Sequence, residues 1–278
     1  MSILLGFVAA LAWGIHDLCV RQVSKGTGIF ASIVTVLTLG CIPVIPVSAF
    51  TWSADISRGS LELSVIAGVL FGLAAIAHYK AFSIGPVRLV APIIGAYPAL
   101  SVGWAMATGT PVTLFQWAAV ALIIAGIGYV AGSGDEGESD GSAASAIFWS
   151  VLAGSGFALT FAVGQAATAE GFELALQAPT RVAALVTVLA IALIGRVNFW
   201  PGRSQIWILA AMGALDAVAL GSVISAGRFA NPELASVVAA TFGLITILLA
   251  AIFLRERVKP LQWIAVLIVF GAIAYLAA

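Results

Sequence analysis

The sequence predicts an all-α integral membrane protein of ten transmembrane helices, built as two inverted five-helix repeats. Three observations predict it. Of the 278 residues, 62% are hydrophobic and only 9% are charged, against about 25% charge in ordinary soluble domains. Lipid must therefore cover apolar surface that no water-soluble fold of this length could hide. Apolar runs of membrane-spanning length recur along the chain, and the second half repeats the first at an offset of 146 residues.

The runs fall near 3–21, 29–50, 64–83, 86–107, 113–132, 145–167, 175–195, 205–226, 230–253 and 260–277. Each is close to the ~20 residues a helix needs to cross ~30 Å of hydrocarbon. Their length, and the lack of polar/apolar alternation, favour helices over barrel strands. The first run, "MSILLGFVAALAWGIHD", has no basic flank before it and reads as a retained span rather than a cleaved signal peptide. The third carries His78, Tyr79 and Lys80 side by side. The fourth carries Pro92 and Pro98, each of which removes a backbone donor, frees a carbonyl and opens the helix. Between the fifth and sixth runs lies "GSGDEGESDGSAAS", whose glycines, serines and acids read as a flexible linker. The organisation expected is a first repeat over 1–132, a linker over 133–144 and a second repeat over 145–278.

The repeat rests on residues that do not coincide by composition. At the 146-residue offset Pro86 meets Pro232, Gln116-Trp117 meets Gln262-Trp263, and Tyr129 meets Tyr275, without a gap. Five spans is an odd number, so the second copy enters the membrane upside down. Nine of the twelve Lys and Arg then fall in loops on one side, with Arg58, Arg181 and Arg228 the exceptions. The positive-inside rule makes that side cytoplasmic and puts both termini outside. Inverted repeats are typical of secondary transporters, whose substrate site lies near the midplane beside broken helices.

Formal net charge is zero, so no nucleic-acid partner is expected. Cys19 and Cys41 lie within apolar runs without metal-ligand spacing and read as small buried hydrophobes. No metal, cofactor or catalytic residue is expected. The partners are membrane lipid and a small-molecule substrate, and ten helices suffice for a monomer to enclose a site.

The stretches "AFSIGPVRLVAPIIGAYPALSVGWAMA" and "FANPELASVVAATFGLITILLAAIFLRERVKPLQWIAVLIVFGAIAYL" resemble the drug/metabolite transporter superfamily, in particular its EamA branch of ten-helix exporters. Ala91-Pro92, Tyr97-Pro98 and Arg255-Glu256-Arg257 carry the likeness. Thr110 stands where the first half's acid is expected, and "TFGL" where the second half's helix proline is expected. The resemblance implies ten helices around a central cavity in a cell membrane, such as a bacterial inner membrane. It also implies export of small metabolites, often amino acids, and is similar in character to the aromatic amino acid exporters.

Ionisable residues within spans cost about 2.5–3.5 kcal/mol at mid-bilayer on insertion scales, so they face protein or water. His78 is read either as an interhelical hydrogen bond or as a cavity-lining group. Tyr79 points about 100° away, so the two are not expected to share a neighbour, and Lys80 is expected to snorkel to the headgroups. Asp17 is read either as an i,i+4 partner of Arg21 or as an ammonium or proton site. Asp216 sits mid-span with no basic residue within a turn, which makes it the costliest residue in the chain. The candidate substrate-binding set is Trp13, Asp17, His78, Tyr79, Tyr97, Trp104, Phe157, Phe161 and Asp216. Gly68, Gly72, Gly126, Gly128, Gly221 and Ser222 are candidate close-packing positions.

Lys and Arg cluster near span ends, apart from Lys80, Arg181 and Arg228, which disfavours the dianionic sugar nucleotides and phosphorylated sugars of other superfamily members. A small zwitterion fits better, with its ammonium on an acid or aromatic face and its carboxylate on His78 or freed backbone amides. Alternating access between the halves is the expected mechanism. His78, Asp17 or Asp216 could couple a proton, and a downhill facilitator needs none. An intramembrane enzyme is the alternative class. The chain has no HExxH, GxSxG or paired-aspartate motif, and its two histidines lie on different spans.

Overall fold

The computed structural model describes residues 1–24, 26–97, 99, 113–133, 142–201 and 205–276. The first half contains α1 (Ser2–Val23), α2 (Ile29–Phe50), α3 (Arg58–Ile84), α4 (Val87–Gly95) and α5 (Leu114–Gly132). The second contains α6 (Ala143–Ala167), α7 (Glu173–Ile194), α8 (Ile206–Ser225), α9 (Glu233–Ala239), α10 (Phe242–Leu249) and α11 (Pro260–Leu276). Among the described residues, seven helical stretches are long and apolar enough to cross a membrane, and Leu114–Val130 and Pro260–Leu276 are shorter apolar helices. The fourth expected span is described through α4 and as far as residue 99, so Trp104 and Thr110 lie outside the described residues.

Lipid on one side and protein on the other sort each helix by face. On α1, Leu4, Phe7, Leu11 and Ile15 point outward, while Gly6, Ala9, Ala10, Trp13, His16, Asp17 and Val20 point inward. Both sets follow helical spacing. The inward face takes the small and polar groups because close packing and hydrogen bonds, rather than hydrophobicity, hold helices together in lipid. Gly68 and Gly72 show the packing at its tightest. A Cβ at Gly68 would overlap the Thr180 carbonyl on α7, and one at Gly72 would lie 2.9 Å from the Ala184 carbonyl oxygen. A Cβ at Gly128 would meet nothing within 4 Å, so that glycine is not a packing position. Gly68→Val is therefore expected to cost about 1–3 kcal/mol by overpacking, read as a lower Tm in detergent. Gly128→Ala should leave Tm within the error of a neutral substitution.

The two halves correspond element by element. Adding 146 to the first residues of α4 and α5, Val87 and Leu114, gives Glu233 and Pro260, the first residues of α9 and α11. Counterpart helices run antiparallel. Ser48, near the end of α2, donates to the Leu174 carbonyl at 2.6 Å and accepts from the Ala178 amide at 3.1 Å near the start of α7. Lys259 and Gln262, at the start of α11, donate to the Ser133 carbonyl beyond the end of α5 at 3.2 and 3.4 Å. An axis that turns each helix into an antiparallel counterpart lies across the helices, which is the geometry of an inverted repeat. The cross-packing obeys it: α3 lies on α6 and α7, as α8 lies on α1 and α2.

The expected break in the fourth span is present, and a second, unexpected break lies in its counterpart. In the first half α4 holds Pro92 and ends at Gly95, with Ala96 leaving helical geometry just before Tyr97. In the second half the run expected as one span over 230–253 is divided. α9 ends at Ala239, α10 starts at Phe242, and a π-helical turn covers Ala250–Leu254. No proline causes this break. Instead the backbones cross closely: a Cβ at Gly95 would sit 2.8 Å from the Ala240 carbonyl oxygen, and one at Gly243 would sit 2.9 Å from that of Ala91. The two breaks face each other.

Glu256 locks one end of this arrangement. Its Oε2 accepts the Val87 amide at 3.0 Å, at the positive end of α4, and its Oε1 lies 3.4 Å from Arg21 Nε. Arg21 Nη1 also donates to the Phe82 carbonyl at 2.8 Å. The acid of the Arg255-Glu256-Arg257 stretch thus caps one helix and ties it to two others.

Candidate functional site

The inward faces of α1, α3, α6 and α8 converge on two groups of buried polar side chains. The first centres on Asp216 of α8. Trp13 Nε1–H donates to Asp216 Oδ1 at 3.1 Å, and Arg181 Nη2 donates to Oδ2 at 2.7 Å and to the Gly213 carbonyl at 3.3 Å. The sequence expectation for Asp216 is corrected here. Asp216 is not left as an unpaired charge, because its counter-charge comes from Arg181 on α7. Gly40 of α2 makes the room, since a Cβ there would overlap the Arg181 guanidinium. Pairing offsets the high cost of each charge in a low-dielectric interior.

The second group joins α1 to α3. Asp17 Oδ1 lies 3.0 Å from His16 Nδ1 and 3.1 Å from His78 Nε2, and Tyr79 OH lies 3.2 Å from His16 Nε2. A His16 tautomer protonated at Nδ1 donates to Asp17 and accepts from Tyr79. Two expectations change. Asp17 does not pair with Arg21, because Arg21 turns toward Glu256 and the end of α3. His78 and Tyr79, about 100° apart on their helix, do share a neighbour: His16 meets Tyr79 at its ring nitrogen and His78 edge-on, with ring centroids 6.2 Å apart. One imidazole is broad enough to span that angle.

Aromatic rings surround the Asp17 carboxylate. Trp13 stacks on Phe161 at 5.4 Å, and Phe161 on Phe157 at 6.1 Å. Tyr97 meets Phe161 edge-on at 5.6 Å, Phe242 meets Trp13 at 6.4 Å, and Phe157 meets His78 at 5.5 Å. They border a narrow cavity lined by Trp13, Asp17, His78, Tyr97, Phe157, Phe161 and Phe242. A neighbouring narrow cavity shares Trp13, His78 and Phe157, and adds His16, Phe71, Tyr79 and Asp216 among its lining. Tyr97 and Phe242 come from the two facing helix breaks, so the breaks deliver side chains to the same space.

Within that space Asp17 Oδ2 is buried and has no hydrogen-bond partner among the described residues. A carboxylate oxygen left so beside aromatic faces suits a positively charged or strongly donating group, and the rings suit an apolar body. Among the described residues, neither lining includes a Lys or Arg.

Of the sequence-predicted residues, Trp13, Asp17, His78, Tyr97, Phe157 and Phe161 line the first cavity, and Tyr79 and Asp216 line the second. Trp104 lies outside the described residues. Sequence reasoning missed three residues. Arg181 was detectable as the basic residue within an apolar run for which Asp216 had no local partner. His16 stood beside Asp17 in "AWGIHDL". Phe242 gave no signal, since its place depends on a helix break that no proline marks.

A sequence profile of the EamA-like transporter family matches residues 1–132 and 144–278. No curated protein matches the chain. A solved structure, described as the crystal structure of a protein, superposes with a TM-score of 0.68 at 16% identity, covering 99% of this chain and 97% of its own. At that identity the likeness concerns the fold.

Proposed function

Because the chain belongs to the EamA-like transporter family, whose members move small metabolites across membranes, we propose that it exports amino acids or closely similar zwitterions. Aromatic and other neutral side chains are the favoured cargo. The halves 1–132 and 145–278, joined through 133–144, rock about the shared cavities and open them to one side of a cell membrane at a time.

One observation carries the reading: Asp17 presents a buried, unpartnered carboxylate oxygen to a cavity walled by Trp13, Tyr97, Phe157, Phe161 and Phe242. An α-ammonium completes the bonding of that oxygen and lies against the rings. An apolar side chain lies among the remaining rings that line the cavity. A dianionic sugar nucleotide fits less well. Arg181 is held by Asp216, and the cavity linings present no other cation among the described residues.

The test is counterflow in proteoliposomes with labelled Phe, Trp, Met and Thr. Phe161→Ala should raise KM for Phe and Trp more than for Thr, because it removes a stacking wall and leaves Asp17 in place. Counterflow with no amino acid in the panel would exclude the substrate class.

A further inference from the structure

We infer that His16, Asp17 and His78 form a binding site for a divalent first-row transition-metal ion of the Zn2+ kind, with its remaining coordination positions open to the aromatic cavity. One ligand atom from each residue can be chosen so that all lie within 4.8 Å of one another. The three residues are 3%, 0% and 5% exposed, so the cluster is built into the bundle rather than spread over a surface. Two histidines and a carboxylate suit zinc, nickel and cobalt, and three protein ligands with an open position is the layout of an exchangeable zinc site.

The detailed contacts favour convergence on a third body. His78 Nε2 lies 3.1 Å from Asp17 Oδ1, and Asp17 Oδ2 has no partner among the described residues. Two imidazole nitrogens 3.0 and 3.1 Å from one carboxylate oxygen, with the second oxygen unpartnered among the described residues, leave a common point that an ion can occupy. Tyr79 OH holds the far nitrogen of His16 at 3.2 Å, the outer-shell contact that orients metal-binding imidazoles. Charge points the same way. Asp216 is paired with Arg181, and Glu256 with Arg21, whereas the neighbours of Asp17 are two imidazoles. The ligands stand 62 positions apart on two helices, 16 and 78, so no sequence spacing announces them.

The ion and a substrate ammonium both need Asp17, so they compete, although the metal site does not depend on the amino-acid reading. The experiment titrates ZnCl2 into the full chain, freed of any affinity tag and of bound metal, in detergent. Calorimetry reads stoichiometry, and visible absorption reads CoCl2 in the same protein. The chain has two histidines and two cysteines, and a Cys19→Ala/Cys41→Ala background removes the thiols as ligands. The expected result is one saturable zinc site per chain and cobalt ligand-field bands. His16→Ala, His78→Ala and Asp17→Asn should each weaken binding by at least about tenfold, and Tyr79→Phe by less. His78→Gln replaces His78→Ala if the alanine variant is not monodisperse. No saturable binding up to millimolar zinc, or binding unchanged in the histidine variants, overturns the inference. Amino-acid counterflow in EDTA separates the two claims. Counterflow without a zinc site sinks the metal alone, and a zinc site without counterflow sinks the amino-acid reading alone. With both present, zinc raises the apparent KM.

Discussion

Arg181→Met is expected to destabilise the protein by about 3–5 kcal/mol, and Arg181→Met/Asp216→Leu to recover most of that loss. The guanidinium is 2% exposed and the carboxylate 6%, so removing one partner strands a charge in a low-dielectric interior. The 2.7 Å bond to Asp216 Oδ2 disappears, and the Trp13 indole bond at 3.1 Å is too weak to stand in for a cation. Removing both charges trades an ion pair for apolar packing, which in buried sites is often neutral or favourable. Thermal unfolding in detergent measures all three proteins. A double variant no more stable than Arg181→Met would show that the pair's charge is not what the bundle depends on there.

Asp17→Asn is expected to raise KM for a transported amino acid by roughly 10–100-fold while the chain stays folded. A hydrogen bond to a charged group contributes about 1.5–3 kcal/mol, and each 1.4 kcal/mol is tenfold in affinity. The amide keeps an oxygen for His16 Nδ1–H, so the contact at 3.0 Å survives and the aromatic walls are untouched. Competition with labelled Phe separates the ends of the substrate. Phenethylamine, which has the ammonium and no carboxylate, should lose the same factor as Phe; phenylpropionate, which has only the carboxylate, should not. An unchanged KM for Phe would remove Asp17 from the binding of the ammonium.

Much of the fold was legible because membranes constrain local sequence strongly. Helix positions followed from run length, and the offset of 146 residues that pairs Pro86 with Pro232 also pairs the first residues of α4 and α9. Pro92 and Pro98 announced the break beside Tyr97. The break between Ala239 and Phe242 was illegible, because close contact between the two halves imposes it rather than the local chain. The candidate residues were found one at a time, from the rarity of polar groups in lipid. Their partners were not: Arg21 stood one turn from Asp17 and bonds elsewhere, while Arg181 stood far from Asp216 and bonds to it.

By itself, then, the sequence determined that the chain lives in lipid, that it is helical, that it is doubled, and which few polar side chains need protection. Those properties depend on the length, period and composition of single segments, and each segment meets the bilayer on its own. The tertiary structure alone decided which protected group answers which. It set Arg181 against Asp216, His78 beside Asp17, and Tyr97 and Phe242 around one cavity. Such pairings depend on how helices cross at close range, through glycines such as Gly40 and Gly95, and a crossing is a property of two segments that neither one encodes alone.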